Sequence, residues 1–470
     1  MASGLHAAAQ LGHRAAEFTA LAHQLSTPGA PTFVGSRHFW RSDYSAHHRP
    51  AAFQSLRMKS TRTNGNQECN GENIRPWHTS DGALYTYRYV LLAQLLLLLL
   101  TAVALGLAVA LADVPCSDGD EYSAIFPVWD WDAIPGTTGR AGPLPGEKPG
   151  KDLDQPGKTA FVGGASDGKH TLTVMDFVGD DDGAAGEKKA TVRAHKSWAF
   201  VDEGVLALVQ NVSLLSPQGA EVITSLEQSL LRGKVQCSSG AIKPGMKHPE
   251  KLPSGASWCW HNQILYAWKG AGLRASVLAG RVTGSWSRIS QAQSAAPVTK
   301  DVFKLLVSHG AAPLSSKDMM YAALPGVQLA DAPKVATAFW SDTLGAVKND
   351  ATAQAVLIPG KQGKPSRLMG SLWQPGGSMA AKAEGFPLDV SADAMVALQL
   401  LLDKAGGTLG VVLAVPAANA TTTVKLTIGG VKVVAGDGGK GVKCTEQGVE
   451  VTTKGGYYAA QSVLGSCKLD

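Results

Sequence analysis

Apolar and polar residues follow two different periods along the chain, and the change of period divides it. From Leu11 to Leu25 the apolar positions recur at the three- and four-residue spacing of an amphipathic helix, which the segment STPGAPT ends. From Phe33 onward this period is lost, and short runs rich in Val, Thr, Leu and Ile alternate with turn residues. The pattern predicts a short amino-terminal helix followed by a mostly β chain.

Individual strands can be placed within the β part. The segment KKATVRAHKSWAFVDEGVLALVQNVSLLS predicts two strands joined by a turn at DEG. In TTVKLTI, the apolar Val424, Leu426 and Ile428 alternate with polar residues, as in a half-buried strand.

A domain boundary is predicted near residues 341–351, beyond which a second block rich in strands begins. We therefore expect a helical remnant or linker at 1–30, a central β-sandwich at 31–345 and a smaller β-sandwich at 346–470.

One apolar run interrupts the β pattern. Residues 89–112 carry no charge and are long enough to span a bilayer, so taken alone they predict a transmembrane helix. However, no Lys/Arg cluster flanks the run, which has only Arg88 on one side and Asp113 on the other. The run also separates two segments typical of one β domain. An insertion within that domain, a membrane segment and a buried helix are the three interpretations.

Composition excludes some classes of function. The chain has 43 Lys and Arg against 38 Asp and Glu, a mild excess without a dense basic run, so a nucleic-acid partner is not expected. The excess suits an anionic polymer. No His, Asp or Glu cluster has the spacing of a metal site, and no cofactor is expected. The segment GDGGKG at 436–441 lacks the Ser or Thr of a phosphate loop and predicts a turn.

Cysteine spacing and two sequons bear on the compartment. Cys237 lies close to Cys259 in the sequence, and Cys444 lies close to Cys467, so each pair is a candidate disulfide. The triplets that begin at Asn211 and Asn419 are candidate glycosylation sites. These features favour secretion, whereas the first residues, MASGLHAAAQLGHRAAEF, do not form a signal peptide. Either the protein is intracellular or its true start is missing.

Several blocks of sequence, in a fixed order, resemble a known family. The resemblance is to the central β domain of polysaccharide lyase family 8, which holds the hyaluronate, chondroitin AC and xanthan lyases, and it covers about residues 33–325. It implies a galactose-mutarotase-like supersandwich followed by a smaller C-terminal β-sandwich. The blocks are SDYSAHHRPAAFQSLRMKSTRT, NGENIRPWHTSDGALYTYR, GDEYSAIFPVWDWDAIPGTT, FVGGASDGKHTLTVMDF, AHKSWAFVDEGVLAL, TSLEQS and VSHGAAP.

The resemblance also favours one interpretation of the apolar run at residues 89–112. In the family, the stretch that matches YTYR continues almost directly into the stretch that matches GDEYSAIF. Here the two would join if residues 89–118 were absent. We therefore interpret 89–118 as an insertion within a single domain, of the kind that translated intron sequence produces.

The chemistry that the resemblance implies is β-elimination next to a uronic acid. The enzyme must stabilise the uronate carboxylate while the C5 proton is removed, and it must also protonate the leaving oxygen. In the family, an Asn, a His and a Tyr from a preceding helical toroid do this, and a Glu and an Asn of the central domain face them. Only residues 2–25 occupy the toroid's place here. His47, His48 and His78 belong to central-domain motifs and are not expected to replace the absent groups.

The segment QECNGEN carries the remaining candidate site residues. It is similar to a family pattern in which a Glu lies three residues before the first Asn of N-x-E-N. Here Glu68 lies two residues before Asn70, and Gln67 occupies the matching position. Asn70, Glu72 and Asn73 match, and Asn70 is the leading candidate to contact a sugar or its carboxylate, because an amide donates without adding charge. The alternative is a structural turn that holds two strands.

Four tryptophans have two interpretations. Trp129 and Trp131, and also Trp258 and Trp260, are residues that could stack on sugar rings or belong to a β-sandwich core. Taken together, the sequence predicts a lyase-like protein that acts on or binds an extracellular anionic polysaccharide. A non-catalytic carbohydrate-binding protein derived from a lyase is one alternative. A membrane-anchored surface protein, if 89–112 is a true membrane segment, is the other.

Overall fold

The computed structural model describes residues 10, 12, 15–26, 34–68, 71–88, 120–142, 153–179, 192–215, 219–344, 346–360, 364–383, 386–455, 458 and 460–470. The described helices are short: α1 is Ala15–Ser26, α2 is Asp120–Ser123 and α3 is Ala332–Ala338. Single 3-10 turns lie at Phe126–Val128, Trp286–Arg288 and Leu329–Asp331, and a π-helical turn follows α3 at Phe339–Thr343. The amphipathic helix is present, although the described part begins at Ala15.

The described part of the central domain contains twenty strands. They are β1 Gly35–Phe39, β2 Tyr44–Arg49, β3 Ala52–Arg57, β4 Asn64–Glu68, β5 Ala83–Arg88, β6 Thr138–Arg140, β7 Leu153–Pro156, β8 Val162–Ser166, β9 Thr171–Val178, β10 Arg193–Val201, β11 Gly204–Leu214, β12 Glu221–Leu230, β13 Val235–Cys237, β14 Gly240–Ile242, β15 Glu250–Lys251, β16 Trp258–His261, β17 Ile264–Lys269, β18 Arg274–Gly284, β19 Val298–Ala311 and β20 Leu314–Pro325.

Two antiparallel sheets form the main sandwich of this domain. The larger sheet has nine strands in the order β14-β13-β16-β17-β20-β11-β10-β9-β8, and the smaller has five in the order β15-β18-β19-β12-β6. Apolar side chains from both sheets, such as Val209, Tyr266 and Phe303, fill the space between them. A four-stranded sheet, β1-β2-β3-β5, and the pair β4-β7 complete the domain.

The second domain contains the remaining twelve strands. Two six-stranded sheets, β21-β22-β23-β26-β27-β32 and β24-β25-β28-β31-β30-β29, enclose an aliphatic core. The strands are β21 Ala346–Asn349, β22 Ala353–Ile358, β23 Ser366–Leu372, β24 Ser378–Ala383, β25 Phe386–Ala392, β26 Val396–Asp403, β27 Thr408–Ala414, β28 Thr422–Gly429, β29 Gly436–Asp437, β30 Val442–Thr445, β31 Gly448–Thr453 and β32 Val463–Lys468.

The strand predictions agree with these elements where the period was clear. The two strands around DEG are β10 and β11, which pair from Val201 and Gly204 outward. In β28 the side chains of Val424, Leu426 and Ile428 are buried and their neighbours are more exposed. A mostly β chain of two sandwiches with a short amino-terminal helix is therefore confirmed.

The two domains share a hydrophobic core. One face of the nine-stranded sheet meets the first sheet of the second domain, and Trp373 stacks on His195 with ring centroids 4.4 Å apart. Buried polar contacts cross the same boundary, including Gln399 Nε2 to Ala165 O at 2.6 Å and an ion pair between Arg367 and Asp167 at 2.9 Å. These contacts hold the two domains together as one packed body.

The predicted insertion at 89–118 lies outside the described residues, but the chain on either side of it is described. The Thr86 amide donates to the Tyr122 hydroxyl at 3.0 Å, and this hydroxyl lies 3.1 Å from Thr86 O. Tyr122 also packs edge-on against Tyr85 and Tyr87. The two flanks are therefore neighbours in one domain. In the described part of the chain, no helix has the length and apolarity that a membrane crossing needs.

Candidate functional site

Part of the candidate segment lies on the connection between β18 and β19. Gly71 O accepts from Gln291 N at 2.9 Å, and Ile74 N donates to Ile289 O at 2.8 Å. Gly71 has a φ of +75°, a backbone conformation that favours glycine. Ile74 is buried and anchors the turn. We refer to residues 71–75 as the 71–75 segment.

The candidate residues of this segment differ in their exposure and in their hydrogen bonds. Glu72 is exposed, whereas Asn73 is partly buried and its Oδ1 accepts from the Arg75 amide at 2.9 Å. The Asn73 carbonyl therefore stabilises the turn, as in the structural alternative. Glu68 ends β4, where its backbone pairs with Leu153 of β7. Asn70 lies outside the described residues, as does the side chain of Glu68.

Basic side chains adjoin the 71–75 segment. Arg75 Nε donates to Arg288 O at 3.2 Å, which fixes this guanidinium against the β18–β19 connection. Burial raises the pKa of Asp132 and the charge of Asp130 raises it further, although the charges of His78, Arg75 and Arg140 oppose this rise. Arg75 therefore lies near the Asp130–Asp132 carboxyl groups as well as in the 71–75 segment. A guanidinium group suits a sugar carboxylate or sulfate.

A buried ionic network includes two residues that follow the 71–75 segment in the sequence. Asp81 lies 3.0 Å from Lys59 Nζ and 2.8 Å from His78 Nδ1. Burial opposes the charge on Asp81, but Lys59 and His78 outweigh it and lower the pKa of this carboxyl group. Burial likewise opposes the charge on His78, but the hydrogen bond that His78 donates to Asp81 raises the His78 pKa nonetheless. His78 therefore has a structural partner, as its place in a central-domain motif suggested.

Three other titratable side chains of this domain are His47, His48 and Tyr87. Burial lowers the pKa of His47 to about 3, and its Nε2 contacts Val201 O at 2.8 Å. His48 packs on Phe53 at a centroid distance of 4.5 Å, and burial lowers its pKa as well. Burial raises the pKa of Tyr87 to about 12. None of these three groups is suited to take a C5 proton.

Sequence reasoning did not find a second buried network. Glu227 lies in the motif TSLEQS and is 2% exposed. Its Oε2 accepts from the Tyr266 hydroxyl at 2.5 Å and lies 3.2 Å from the Tyr122 hydroxyl. Burial raises the pKa of Glu227 to about 7. The only signal in the sequence was a Glu within the motif TSLEQS, which by itself does not identify its partners.

The four tryptophans have separate roles. Trp129 and Trp131 are buried among aromatic rings that include Tyr122 and Phe126, so they belong to the core. In β16 the two tryptophans are partly exposed and pack on the face of the nine-stranded sheet that carries α3. Trp260 Nε1 donates to Val327 O at 2.7 Å, and this bond fixes its ring.

The cysteines and sequons fall on both domains. Cys237 and Cys259 face each other across β13 and β16 and form a disulfide with Cα atoms 3.9 Å apart. Cys444 and Cys467 form another, with Cα atoms 5.8 Å apart. Asn419 is exposed in a loop.

Two further sequence motifs are the sequon at Asn211 and the segment 436–441. Asn211 interrupts the pairing of β11 with a φ of +54°, a conformation that Asn tolerates better than most residues. In 436–441 the Asp437 side chain accepts from the Gly439 amide at 2.9 Å, and Val442 N donates to Gly439 O. This segment is a turn. Across the described ranges, no group of three or more His, Cys, Asp or Glu residues is placed to hold a metal ion.

The fold and the ordered motifs define a protein of two packed β-sandwiches, and comparison with known sequences identifies its family. The description "Polysaccharide lyase family 8, super-sandwich domain" matches residues 34–89 and 114–336, and the chain belongs to this family. Chondroitinase-AC of Pedobacter heparinus is 31% identical over 290 residues, which are 62% of this chain and 35% of that protein. Hyaluronate lyase of Thermasporomyces composti is 25% identical over 341 residues, covering 70% of this chain and 37% of that protein.

Solved structures share the fold over almost the whole chain. The chondroitin AC lyase of Streptomyces coelicolor A3, in complex with chondroitin sulphate, has a TM-score of 0.68 and 23% identity, covering 97% of this chain and 52% of that one. A Paenibacillus xanthan lyase has a TM-score of 0.72 and 16% identity, covering 96% and 39%. The chain spans about a third of the length of the two curated relatives.

Proposed function

We propose that this chain is the sandwich part of a lyase that binds an extracellular uronic-acid polysaccharide and, together with a helical catalytic domain, cleaves it by β-elimination. The observation that carries the proposal is the family match over residues 34–89 and 114–336. The relatives named for chondroitin and hyaluronate support an anionic glycan as substrate. Two disulfides support an oxidising compartment.

The 71–75 segment is the proposed contact surface for the glycan. Asn73 and Arg75 are fixed by backbone hydrogen bonds and present an amide and a guanidinium, groups that bind a carboxylate without requiring a proton transfer. Asn70, next to this segment, is the proposed donor to the uronate, and Glu68 has a smaller role because of its shifted register. The base and the proton donor come from the helical domain in this proposal, since His47, His48 and His78 have structural roles.

Binding is tested on the full chain with a chondroitin sulfate tetrasaccharide and isothermal titration calorimetry. Asn73→Asp keeps the oxygen that accepts from Arg75 N but removes the amide donor and adds negative charge. We expect affinity to fall about tenfold or more, as for the loss of a hydrogen bond to a charged group. Asn419→Asp, an exposed Asn in the second domain, is the matched control and should leave affinity unchanged. Equal affinity for both variants would argue against the proposed surface.

Elimination is tested by the absorbance of unsaturated uronic acid products. The chain as given should produce none from chondroitin sulfate or hyaluronan, because losing general acid–base groups costs about 10² to 10⁴ in rate and losing oxyanion donors about 10² to 10³ more. Supplying a family helical domain, fused or in solution, should restore turnover, and Asn70→Ala should then reduce it more than Glu68→Ala. Turnover by the chain alone would overturn this assignment. Binding without restored turnover would favour a non-catalytic carbohydrate-binding protein.

We also infer that residues 89–118 are an insertion within the sandwich rather than a membrane crossing. The family match omits residues 90–113. The contact of Thr86 with Tyr122 joins the two flanks, whereas a single crossing would separate them by a bilayer about 30 Å thick. Both observations support the insertion over a membrane-anchored surface protein.

A further inference from the structure

A small aromatic cavity lies on the far side of the sandwich from the 71–75 segment. It has a volume of about 360 Å³ and is lined by Ser257, Trp258, Trp268, Lys269, Ala336, Thr337, Trp340 and Ser341. Strand β16 and the end of β17 form one wall, and α3 with its π-helical turn forms the other. A cavity of this size is at the small end of the range for ligand sites and suits one or two sugar rings.

The alternation of β16 places Trp258 in this cavity. Cys259 faces the core between the two sheets, so its neighbours Trp258 and Trp260 point to the opposite face. Trp260 is fixed by its bond to Val327 O, whereas Trp258 lines the cavity and is partly exposed. The 71–75 segment rests instead on the β18–β19 connection of the five-stranded sheet. The cavity and the segment are therefore on opposite faces of the domain.

A cation is held at the wall of the cavity. Lys269 Nζ lies 4.7 Å from the ring centroid of Trp340, within the range of a cation–π contact. Lys269 is exposed at the end of β17, where the burial that remains lowers its pKa. An ammonium group that is held beside an aromatic ring and is open to solvent is well placed to pair with an anionic ligand.

The backbone that carries Trp340 is irregular. Residues Phe339–Thr343 form a π-helical turn directly after α3, and Phe339 is 2% exposed and anchors the turn in the core. Such turns are rare and are frequently found at functional sites. Because the extra residue of the turn changes the direction of the following side chains, it provides a physical reason for Trp340 to reach the cavity.

We propose that this cavity binds a sugar residue of an anionic polysaccharide. One sugar face packs on Trp258 and Trp340, and the carboxylate or sulfate of the sugar pairs with Lys269. Aromatic side chains with a polar edge are suited to a ring that is apolar on its faces and polar at its rim. The proposal depends on the proposed function only for the choice of polymer, since the site is separate from the 71–75 segment. Such a site would hold the chain on its polymer without taking part in cleavage.

The position of the ligand is tested by hydroxyl-radical footprinting of the full chain with a chondroitin sulfate tetrasaccharide. A non-ionic detergent is included because residues 89–112 are apolar and uncharged. We expect the tetrasaccharide to reduce oxidation of Trp258 and Trp340. Protection confined to residues 71–78 would overturn this inference and leave the proposed function standing. Protection only at the tryptophans would support this inference and count against the 71–75 segment.

Variants test the two parts of the site separately. Trp258→Ala should weaken tetrasaccharide binding about 3- to 10-fold, the effect of losing one aromatic contact, and Trp258→Phe should retain most of the affinity. Lys269→Gln should weaken binding by a similar factor and reduce its dependence on salt. Lys251→Gln removes an exposed lysine from β15 and is the matched control for charge. Thermal unfolding of each variant checks that the fold is kept.

Other outcomes would identify another occupant. Equal binding of an uncharged maltotetraose, with no effect of Lys269→Gln, would overturn the anionic part of the proposal. Protection of Trp258 by a tryptophan-containing peptide but not by either sugar would indicate a protein partner and overturn the proposal. If Asn73→Asp alone abolishes all tetrasaccharide binding, the cavity is not a glycan site.

Discussion

At the scale of single residues, several polar residues of the family motifs form buried ionic contacts and hydrogen bonds that stabilise the fold. Asp81, His78 and Lys59 form a closed ionic group. Glu227 is held between two tyrosines in a region without solvent. A buried ionisable group either keeps a charged partner or shifts its pKa towards the neutral form. Asp81 is an example of the first case, and Glu227 is an example of the second.

Glu227 should make the stability of the protein depend on pH. Its folded pKa of about 7 lies above the unfolded value of 4.5, so folding favours the protonated carboxyl. This contribution is complete below pH 4.5 and is lost as pH rises through about 7, a change of about 3 kcal/mol. Glu227→Gln does not titrate and should remove that slope. Denaturant unfolding of both proteins between pH 4 and about 8 measures the difference, and parallel profiles would contradict the prediction.

Asp81→Asn should destabilise the protein strongly. Lys59 and Asp81 are each about 1% exposed at the side chain, so the substitution removes the carboxylate charge that faces a buried ammonium group. Breaking a buried ion pair in this way costs about 3–5 kcal/mol in the free energy of unfolding. The double variant Lys59→Met with Asp81→Asn should recover part of the loss. A loss below about 1 kcal/mol for Asp81→Asn would contradict the role given to the pair.

At the scale of elements, the meeting of β5 and α2 supports the proposal that residues 89–118 are an insertion. An apolar run of this length is the usual signature of a membrane helix, and the sequence alone could not dismiss it. The structure instead shows its flanks joined through Thr86 and Tyr122. A long insertion between neighbouring ends is tolerated because the entropy of loop closure rises slowly with length.

Deleting residues 89–118 should leave a folded and more soluble protein. Arg88 then continues directly into Gly119, which is close to the order of motifs in the family. The deletion removes an uncharged apolar run far larger than the patches that soluble monomers expose. Size-exclusion chromatography and thermal unfolding measure the result, with the full chain as reference. Aggregation of the deletion variant, together with clean insertion of the full chain into liposomes, would support a membrane segment instead.

At the scale of the whole molecule, the two sandwiches behave as one packed body. The nine-stranded sheet is buried on both faces, by the five-stranded sheet on one side and by the second domain on the other. Trp373 is central to the second interface, where it contacts both His195 and Phe161. Because apolar area on both domains is removed from water together, unfolding of one domain exposes the core of the other.

Trp373→Ala should therefore destabilise both domains together. Trp373 is 5% exposed, and truncating a buried Trp costs about 3–5 kcal/mol. We expect a single calorimetric transition at a lower temperature and faster hydrogen exchange in both β10 and β23. Leu464→Ala, at a side chain that is 49% exposed in β32, is the control and should change little. Two separate transitions, with only the second domain affected, would contradict the shared core.

The sequence by itself determined the fold class, many strands and the family. The two-residue period of β28 is visible because one of its faces is in contact with water, and β10 and β11 are visible because a short turn separates two apolar runs. The ordered motifs were enough to identify a polysaccharide lyase sandwich, since they are local in the chain.

Only the tertiary structure decided what the polar and aromatic residues do. Trp129 and Trp258 are the same residue type, yet Trp129 follows a 3-10 turn that packs into an aromatic core cluster, whereas Trp258 in β16 lines an open cavity. Glu227 acquired its tyrosine partners from residues 105 and 39 positions away in the sequence. A local sequence pattern predicts which face of a strand is exposed to water. The partners of a buried group depend instead on which distant strands the fold brings beside it.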